Sequence, residues 1–342
     1  MTTIYLIRHG EAEGNRYRRC HGQYDSTITD NGYHQIAALA KRMADVPIDA
    51  VYASDLTRTQ TTALAVTRTH GLPLRLDPRL REVSVGVWED KTWAWLARFD
   101  TARLVAFNTD AQRWSVEGGE TMAQVRERML AALGDVIAAN PNRSVAVVSH
   151  GMALRTLVGT LNGLTLPQID KTGHAENTAV TKLEADEAGV RVVWQNDASH
   201  LPEELTTLHK QLWTKSKGGL EPGIWFAPTE TAGRFAVVSE DEAVGEVAIG
   251  RMADGVADIA ALRLDERLRG RSLGVRLVGQ AVSCARAHGC DTLRAVPPEG
   301  DALAAKRLAQ YGFAEQNGAW VKYIGYDEAY RVRRFEAALA DA

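Results

Sequence analysis

An α/β protein in two domains is what the sequence predicts, and three observations predict it. The chain has 342 residues, more than a single hydrophobic core usually serves. Short apolar runs alternate with helical patterns over the first two hundred residues. A stretch from about Asn196 to Gly223, holding Pro202, Lys215, Ser216, Lys217, Gly218, Gly219 and Pro222, then breaks that rhythm before a second series begins. The boundary is expected near 215–220, giving domains 1–215 and 220–342.

Three segments of the first domain share one pattern: a buried-type strand, a polar turn, then a helix. Ile4–Ile7 precedes Arg8-His9-Gly10, Ala50–Ala53 precedes Ser54-Asp55-Leu56, and Val145–Val148 precedes Ser149-His150-Gly151. Continuous apolar runs of this length suit parallel strands covered on both faces. Helices are expected at roughly 31–44, 56–69 and 152–162, and a hairpin of 179–183 with 190–194 closes the sheet. The aromatic segment 91–114 (Trp93, Trp95, Phe99, Phe107, Trp114) reads as helical, either a cap beside a pocket or an ordinarily packed insertion. In the second domain, strands are expected near 235–239, 244–249, 257–264, 292–296 and 319–324. Helices are expected from Gly274 to about His288 and near 301–310.

Composition excludes several function classes. At 45% hydrophobic and 24% charged residues the chain is an ordinary globular one, and a net charge of −3 offers no bulk attraction to nucleic acid or anionic membrane. Cys20, Cys284 and Cys290 form neither a CxxC pair nor a Cys/His cluster, which argues against a disulfide framework and against structural zinc. No apolar run approaches the ~18–20 residues of a membrane span. Met1–Arg8 has no basic leader, so a cytoplasmic location is expected; the oligomeric state stays open.

Strand ends in such sheets are where ligands bind, and Arg8, His9, Arg58 and His150 all fall there. Cleaving a phosphomonoester without metal needs positive donors for the phosphoryl oxygens, an in-line nucleophile and an acid for the leaving oxygen. Arg8 and Arg58 carry the donor fork that matches a phosphate. His9 can attack through one ring nitrogen if a carbonyl holds the proton on the other. His150 can donate as imidazolium. Glu82, in Leu80-Arg81-Glu82-Val83, is the candidate acid; bound phosphate beside it would favour its protonated form. No metal ligands are expected. Most other histidines should be surface or structural, His21 beside the Gly22-Gln23 loop being the one best placed to differ.

In the same residues the chain resembles the histidine phosphatase superfamily, the phosphoglycerate-mutase-like group. The resemblance rests on five blocks in order: Arg8-His9-Gly10-Glu11 followed by Asn15, Ala53 through Ala63 around Arg58, Leu80 through Asp90, Glu117-Gly118-Gly119-Glu120-Thr121, and Val148-Ser149-His150-Gly151. It implies a three-layer α/β/α fold, a phosphohistidine on His9, a phosphate pocket of Arg8, Arg58 and His150, and Glu82 as proton donor. It also implies that Asn15, Gln23 and the Gly151 amide complete the pocket, with no cofactor. The loop Gly22–Thr29 lacks the proline frequent in the family, which bears on specificity. Mutases of the group read Glu-Arg-x-Tyr-Gly where this chain has Glu82-Val83-Ser84-Val85-Gly86. Lacking that substrate-gripping cation, the protein is expected to hydrolyse a small phosphate ester, with mutase-type phosphoryl transfer as the alternative.

In the second domain, Asp258–Leu264 leads into Arg269-Gly270-Arg271-Ser272-Leu273-Gly274, a turn at a helix N-terminus that offers N–H groups to an anion. With Tyr311-Gly312-Phe313 downstream, residues 222–325 resemble the GNAT N-acetyltransferases, a smaller mixed α/β fold. That resemblance implies acetyl-CoA or CoA bound through its pyrophosphate at Arg269–Gly274, near Ala304. Ser272 replaces the motif's middle glycine, and Leu308 stands at the family's frequent tyrosine acid. Acetyl transfer and a non-catalytic binding or docking role both stay open.

Overall fold

The computed structural model describes residues 1–208, 211 and 223–342. The boundary expected at 215–220 lies outside the described residues.

The first sheet carries β1 (Thr2–Arg8), β2 (Ala50–Ala53), β3 (Leu74–Leu76), β4 (Ser144–Ser149), β5 (Val180–Asp186) and β6 (Gly189–Asp197), in the spatial order β3-β2-β4-β1-β5-β6. The first four run parallel, and β5 and β6 form the expected antiparallel hairpin against β1. Alternate residues of each parallel strand feed separate cores. Ile4, Leu6, Ala50, Val145 and Val147 face α6 (Met122–Ala139) and α7 (Gly151–Leu161). Ile7, Val51, Ala53, Ala146 and Val148 face α2 (Asp30–Met43) and α3 (Thr57–His70). Both faces are therefore covered, as continuous apolar runs require.

Helix α6 was not expected from the sequence. Its signals are a Thr121–Gln124 capping box and buried residues at Met122, Val125, Met129, Ala132, Leu133 and Val136, a helical spacing. The aromatic segment forms α4 (Trp93–Phe99) and α5 (Thr101–Thr109). It divides its aromatics three ways. Trp114 and Phe107 pack on Trp88 in the core, Trp93 and Phe107 line a cavity, and Phe99 meets Trp225 of the second domain edge-on at 5.7 Å.

The second sheet comprises β7 (Trp225–Pro228), β8 (Arg234–Ser239), β9 (Glu242–Ala253), β10 (Val256–Leu264), β11 (Thr292–Ala295), β12 (Ala314–Gln316) and β13 (Ala319–Tyr323), ordered β12-β13-β11-β10-β9-β8-β7. Helix α8 (Gly274–Ala287) packs on it through Leu277, Val278, Ala281, Val282 and Ala285, and α9 (Ala302–Gln310) follows β11. Parallel pairing of β10 with β11 covers Val256–Asp258 alone. Beyond that the strands part, and a cleft opens between them.

The second domain does not keep its last helix. Helix α10 (Glu328–Asp341) crosses back to the first domain and sets Phe335 and Ala338 into the core beneath α2 and α3. No linker interrupts the sequence between 220 and 342, so its pattern predicts one domain there. What the pattern missed is that the buried residues of α10 complement another domain's surface. Residues 199–208 likewise belong with the first domain: Thr207 donates to Glu11, and Gln35 donates to the Leu205 carbonyl. All three cysteines are unpaired and buried. Among the described residues no helix is long and apolar enough to cross a membrane.

Phe335 is 1% exposed. Phe335→Ala should therefore cost the first domain ~3–5 kcal/mol, the usual range for truncating a buried phenylalanine. In urea, the tryptophan fluorescence of the first domain should report unfolding at a lower midpoint in the variant; an unchanged midpoint would mean α10 adds nothing to that domain.

Candidate active site

The site begins with the pairing of two strands. Parallel β1 and β4 set Arg8 opposite Ser149, so the residues that follow them leave the same edge of the sheet side by side. The His9 N–H donates to the Ser149 carbonyl at 3.0 Å, and the His9 and His150 ring centroids are 5.3 Å apart. Next to them β2 ends and α3 begins, with Arg58 in its first turn. Arg8, His9, Arg58 and His150 are all less than a tenth exposed.

The two histidines are held in opposite tautomers. His9 Nδ1 lies 2.7 Å from the Gly10 carbonyl oxygen. A carbonyl can only accept, so Nδ1 carries the proton and Nε2 keeps its lone pair. Burial, followed by the Arg58 and Arg8 charges, holds this imidazole well below its usual range. At His150 the Arg58 Nε donates to Nδ1 at 3.2 Å, which leaves the proton on Nε2. Burial and then Arg58 and His9 hold this ring neutral as well. The imidazolium expected at His150 is thus corrected to a neutral N–H donor, since a further positive charge would be buried beside two guanidinium groups.

His150 Nε2 and Arg8 Nε are buried without a hydrogen-bond partner; Arg8 lines a cavity of about 160 Å³, together with His9, Arg58 and the residue after His150, Gly151. Buried donors are seldom left unpaired. Here they sit with a second arginine whose anchors are all neutral: Arg58 donates to the Tyr24 and Gly22 carbonyls at 3.0 and 2.6 Å and to His150. Arg8 is anchored similarly, on the Ala175 carbonyl at 2.5 Å. Such a set is a cradle for an anion.

Glu82 lines the same cavity. Its Oε1 accepts from the Val83 and Ala153 amides at 3.0 and 2.8 Å, and its Oε2 from the Met152 amide at 3.0 Å. The carboxyl group is thereby fixed at the first turn of α7, next to His150. Asn15 and Gly151 also line the cavity, but Gln23 does not. Its amide reaches the Glu82 carbonyl at 3.2 Å, and its oxygen accepts from Arg81 at 3.4 Å. The cause is Glu89, whose carboxylate gathers the Gly22, Gln23 and Tyr24 amides and so sets the course of the loop.

Sequence reasoning missed Glu89 and also Arg128, which donates to the Arg79, Arg81 and Glu82 carbonyls and holds the Glu82 segment in place. It also missed Arg155 on α7, 7% exposed, which lines the cavity, donates to the Asp170 carbonyl at 2.7 Å and has a buried Nε without partner. A basic residue one turn beyond Gly151, on the same helical face, was the available signal. His21 does join the site: Nε2 meets Asp90 at 2.9 Å while Nδ1 is buried and unpartnered.

The sequence profile of the histidine phosphatase superfamily (branch 1) matches residues 4–198, more than half of the chain. The chain belongs to the histidine phosphatase superfamily. The acetyltransferase (GNAT) family profile matches residues 199–313. The phosphatase portion is 33% identical over 208 residues to the probable phosphoglycerate mutase GpmB of Erwinia tasmaniensis, a span that is 59% of this chain and 96% of that protein. Among solved structures, YhfR of Bacillus stearothermophilus is 32% identical with a TM-score of 0.57, over 58% of this chain and 99% of that one. A mycobacterial glucosyl-3-phosphoglycerate phosphatase is 28% identical with a TM-score of 0.54, over 57% and 98%.

The histidine phosphatase domain is joined to a second site. Where β10 and β11 part, a cleft of about 880 Å³ is lined by Arg269, Gly270, Ser272, Leu273, Gly274 and Ala304, as expected, but not by Arg271. Gly270 and Ser272 take left-handed φ of 79° and 56°, so the serine occupies a position that a glycine would fill without strain. Leu308 is buried in the core rather than offered as an acid. Leu308 and Tyr311 both line the cleft, the tyrosine hydroxyl so near Gly274 that a Cβ there would come within 2.1 Å of it. Charged groups on the cleft wall are four arginines, Arg16, Arg263, Arg269 and Arg307, with no carboxylate among the lining residues.

The orphaned donors give a direct test of the phosphate cradle. Inorganic phosphate at a hundred times its Kd should stabilise the protein by ~2.7 kcal/mol, seen as a rise in Tm of a few degrees. Arg58→Met should abolish that rise; a rise that persists would place the anion elsewhere.

Proposed function

We propose that the first domain hydrolyses a small phosphomonoester through a phosphohistidine on His9, without a metal ion. One observation carries the reading: a neutral buried imidazole with its Nε2 lone pair free, beside buried donors that lack partners. The Nε2 attacks phosphorus, the bond from phosphorus to the ester oxygen breaks, and Glu82 gives its proton to that oxygen. Water then attacks the phosphorus–nitrogen bond, Glu82 takes the proton back, and phosphate leaves His9 neutral. Throughout, Arg8, Arg58 and His150 Nε2–H hold the phosphoryl oxygens, where charge builds in the transition state.

Hydrolysis is preferred over mutase-type transfer because Val83, an apolar wall of the cavity 1% exposed, stands where mutases of the group carry arginine. Arg155 with its unpartnered Nε favours an ester bearing a second acidic group over a neutral sugar phosphate. Brief incubation with such an ester should leave an acid-labile, base-stable phosphoenzyme, absent in His9→Ala and formed equally after exhaustive EDTA treatment. Label retained by the variant, or turnover restored by a divalent cation, would overturn the mechanism. Released phosphate separates hydrolysis from an isomerised ester. The pH profile has a defined sign. His9 must be neutral, and its lowered pKa keeps it so below pH 6.5, so the acid limb should lie well under that value. Because Glu82 delivers the proton to the leaving oxygen, Glu82→Gln should harm poor leaving groups far more than aryl phosphates.

For the second domain we propose coenzyme A or acetyl-coenzyme A as ligand, supported by a cleft that combines apolar walls, a turn of backbone N–H groups and four arginines without a carboxylate. With Leu308 in the core, binding and acetyl transfer are separable. Ser272→Gly should keep binding and raise stability by about 1 kcal/mol, the strain of a side chain at positive φ. Calorimetry showing no binding at millimolar coenzyme would leave a docking module as the better reading.

A further inference from the structure

Helix α1 (Glu13–Tyr17) is shared by the two sites. Successive residues of a helix point about 100° apart, so even a short one can serve several neighbours. Asn15 lines the phosphate cavity. Tyr17 is buried on α8 at Gly279, where a Cβ would come within 2.5 Å of the tyrosine Cβ. Between them, Arg16 lines the cleft of the second domain.

The placement of Arg16 is rigid. Glu13 and Arg286, 4% and 9% exposed, form an ion pair at 2.5 Å between α1 and α8. Arg19 donates to Gln280 at 3.1 Å and to Ser283 at 3.4 Å, and Ser283 donates in turn to Asp90. The middle and C-terminal half of α8, the helix that the turn of N–H groups opens, is therefore packed and bonded against the segment that carries Arg16. Arg16 itself is exposed, and its guanidinium has no hydrogen bond or ion pair among the described residues. Arg269, by contrast, is already paired with Glu266 at 2.8 Å. A guanidinium with no partner among the described residues, carried on a held helix at the edge of a cleft whose lining has arginines and no carboxylate, suits contact with a phosphate.

We propose that Arg16, a residue of the phosphatase domain, is a ligand-binding residue of the second domain's cleft and contacts a phosphate of a coenzyme-A-type ligand. The cleft is then a site built by both domains. This rests on the coenzyme reading above and adds to it a residue that lies outside the stretch matched to the acetyltransferase family, 199–313.

The test is calorimetric titration of the full chain with coenzyme A and with its 3′-dephospho form. Arg16→Ala should weaken coenzyme A binding about five- to tenfold, as expected for one charge-assisted contact. Arg16→Lys, which keeps the charge, should recover most of that loss. If the 3′-phosphate is the group contacted, the wild type should prefer coenzyme A and Arg16→Ala should lose the preference. If it is the diphosphate, both ligands should weaken alike. Wild-type affinity in Arg16→Ala, or an equal loss in Arg16→Lys, overturns the inference and leaves the coenzyme reading standing. Failure of the wild type to bind either ligand at millimolar concentration overturns both.

Discussion

The buried arginines of the candidate active site, Arg8 and Arg58, are held by carbonyl oxygens and not by carboxylates, and much of the first domain is arranged around that constraint. Arg8 leans on Ala175, and Arg58 on Gly22 and Tyr24. A carboxylate in those places would neutralise the guanidinium groups and compete with any incoming anion. A carbonyl fixes their geometry and leaves their charge in force. The cost is the desolvation of two cations with no formal counter-charge bonded to them, which is also why both histidines between them are neutral.

The carboxylates are placed one shell further out, where they position segments instead of quenching charge. Glu89 gathers three successive amides of the 22–24 loop, and those residues supply the carbonyls that hold Arg58. Asp25 accepts from the Thr57 amide and hydroxyl, which anchors the start of α3 just before Arg58. Glu120 pairs with Arg128, which holds the carbonyls around Glu82. Asp90 accepts from Arg19, His21 and Ser283, so one carboxylate joins the wall of the candidate active-site cavity to α8 of the other domain.

The parts of the fold that were legible in the sequence carry their signal locally. Buried parallel strands show as unbroken apolar runs, and the motif residues at their ends fall together because strand register brings them together. Arg8, His9, Arg58 and His150 were readable for that reason, and Glu82 from its place in the Leu80–Asp90 block. The charge state of His150 was not, because it depends on which nitrogen Arg58 occupies, a contact across 92 positions of the chain. Gln23 was misplaced for a similar reason: its direction is set by Glu89, 66 residues away. Arg155 escaped notice because one arginine on a helix reads as a solvated charge until the helix is seen to begin at the pocket floor. Helix α10 has ordinary amphipathic spacing, but no pattern within it states which domain its apolar face will cover.

That helix also sets an order of events during synthesis. Residues 328–341 follow the whole second domain in the chain, yet Phe335 and Ala338 complete the core under α2 and α3. On the ribosome the apolar flank of the first domain stays unsealed while more than a hundred further residues are made. The second domain is then enclosed between two attachments to the first, its incoming segment at 199–208 and its outgoing helix. Closing that loop restricts how far the two bodies can separate, and a single cut in the chain between the sheets would leave them joined.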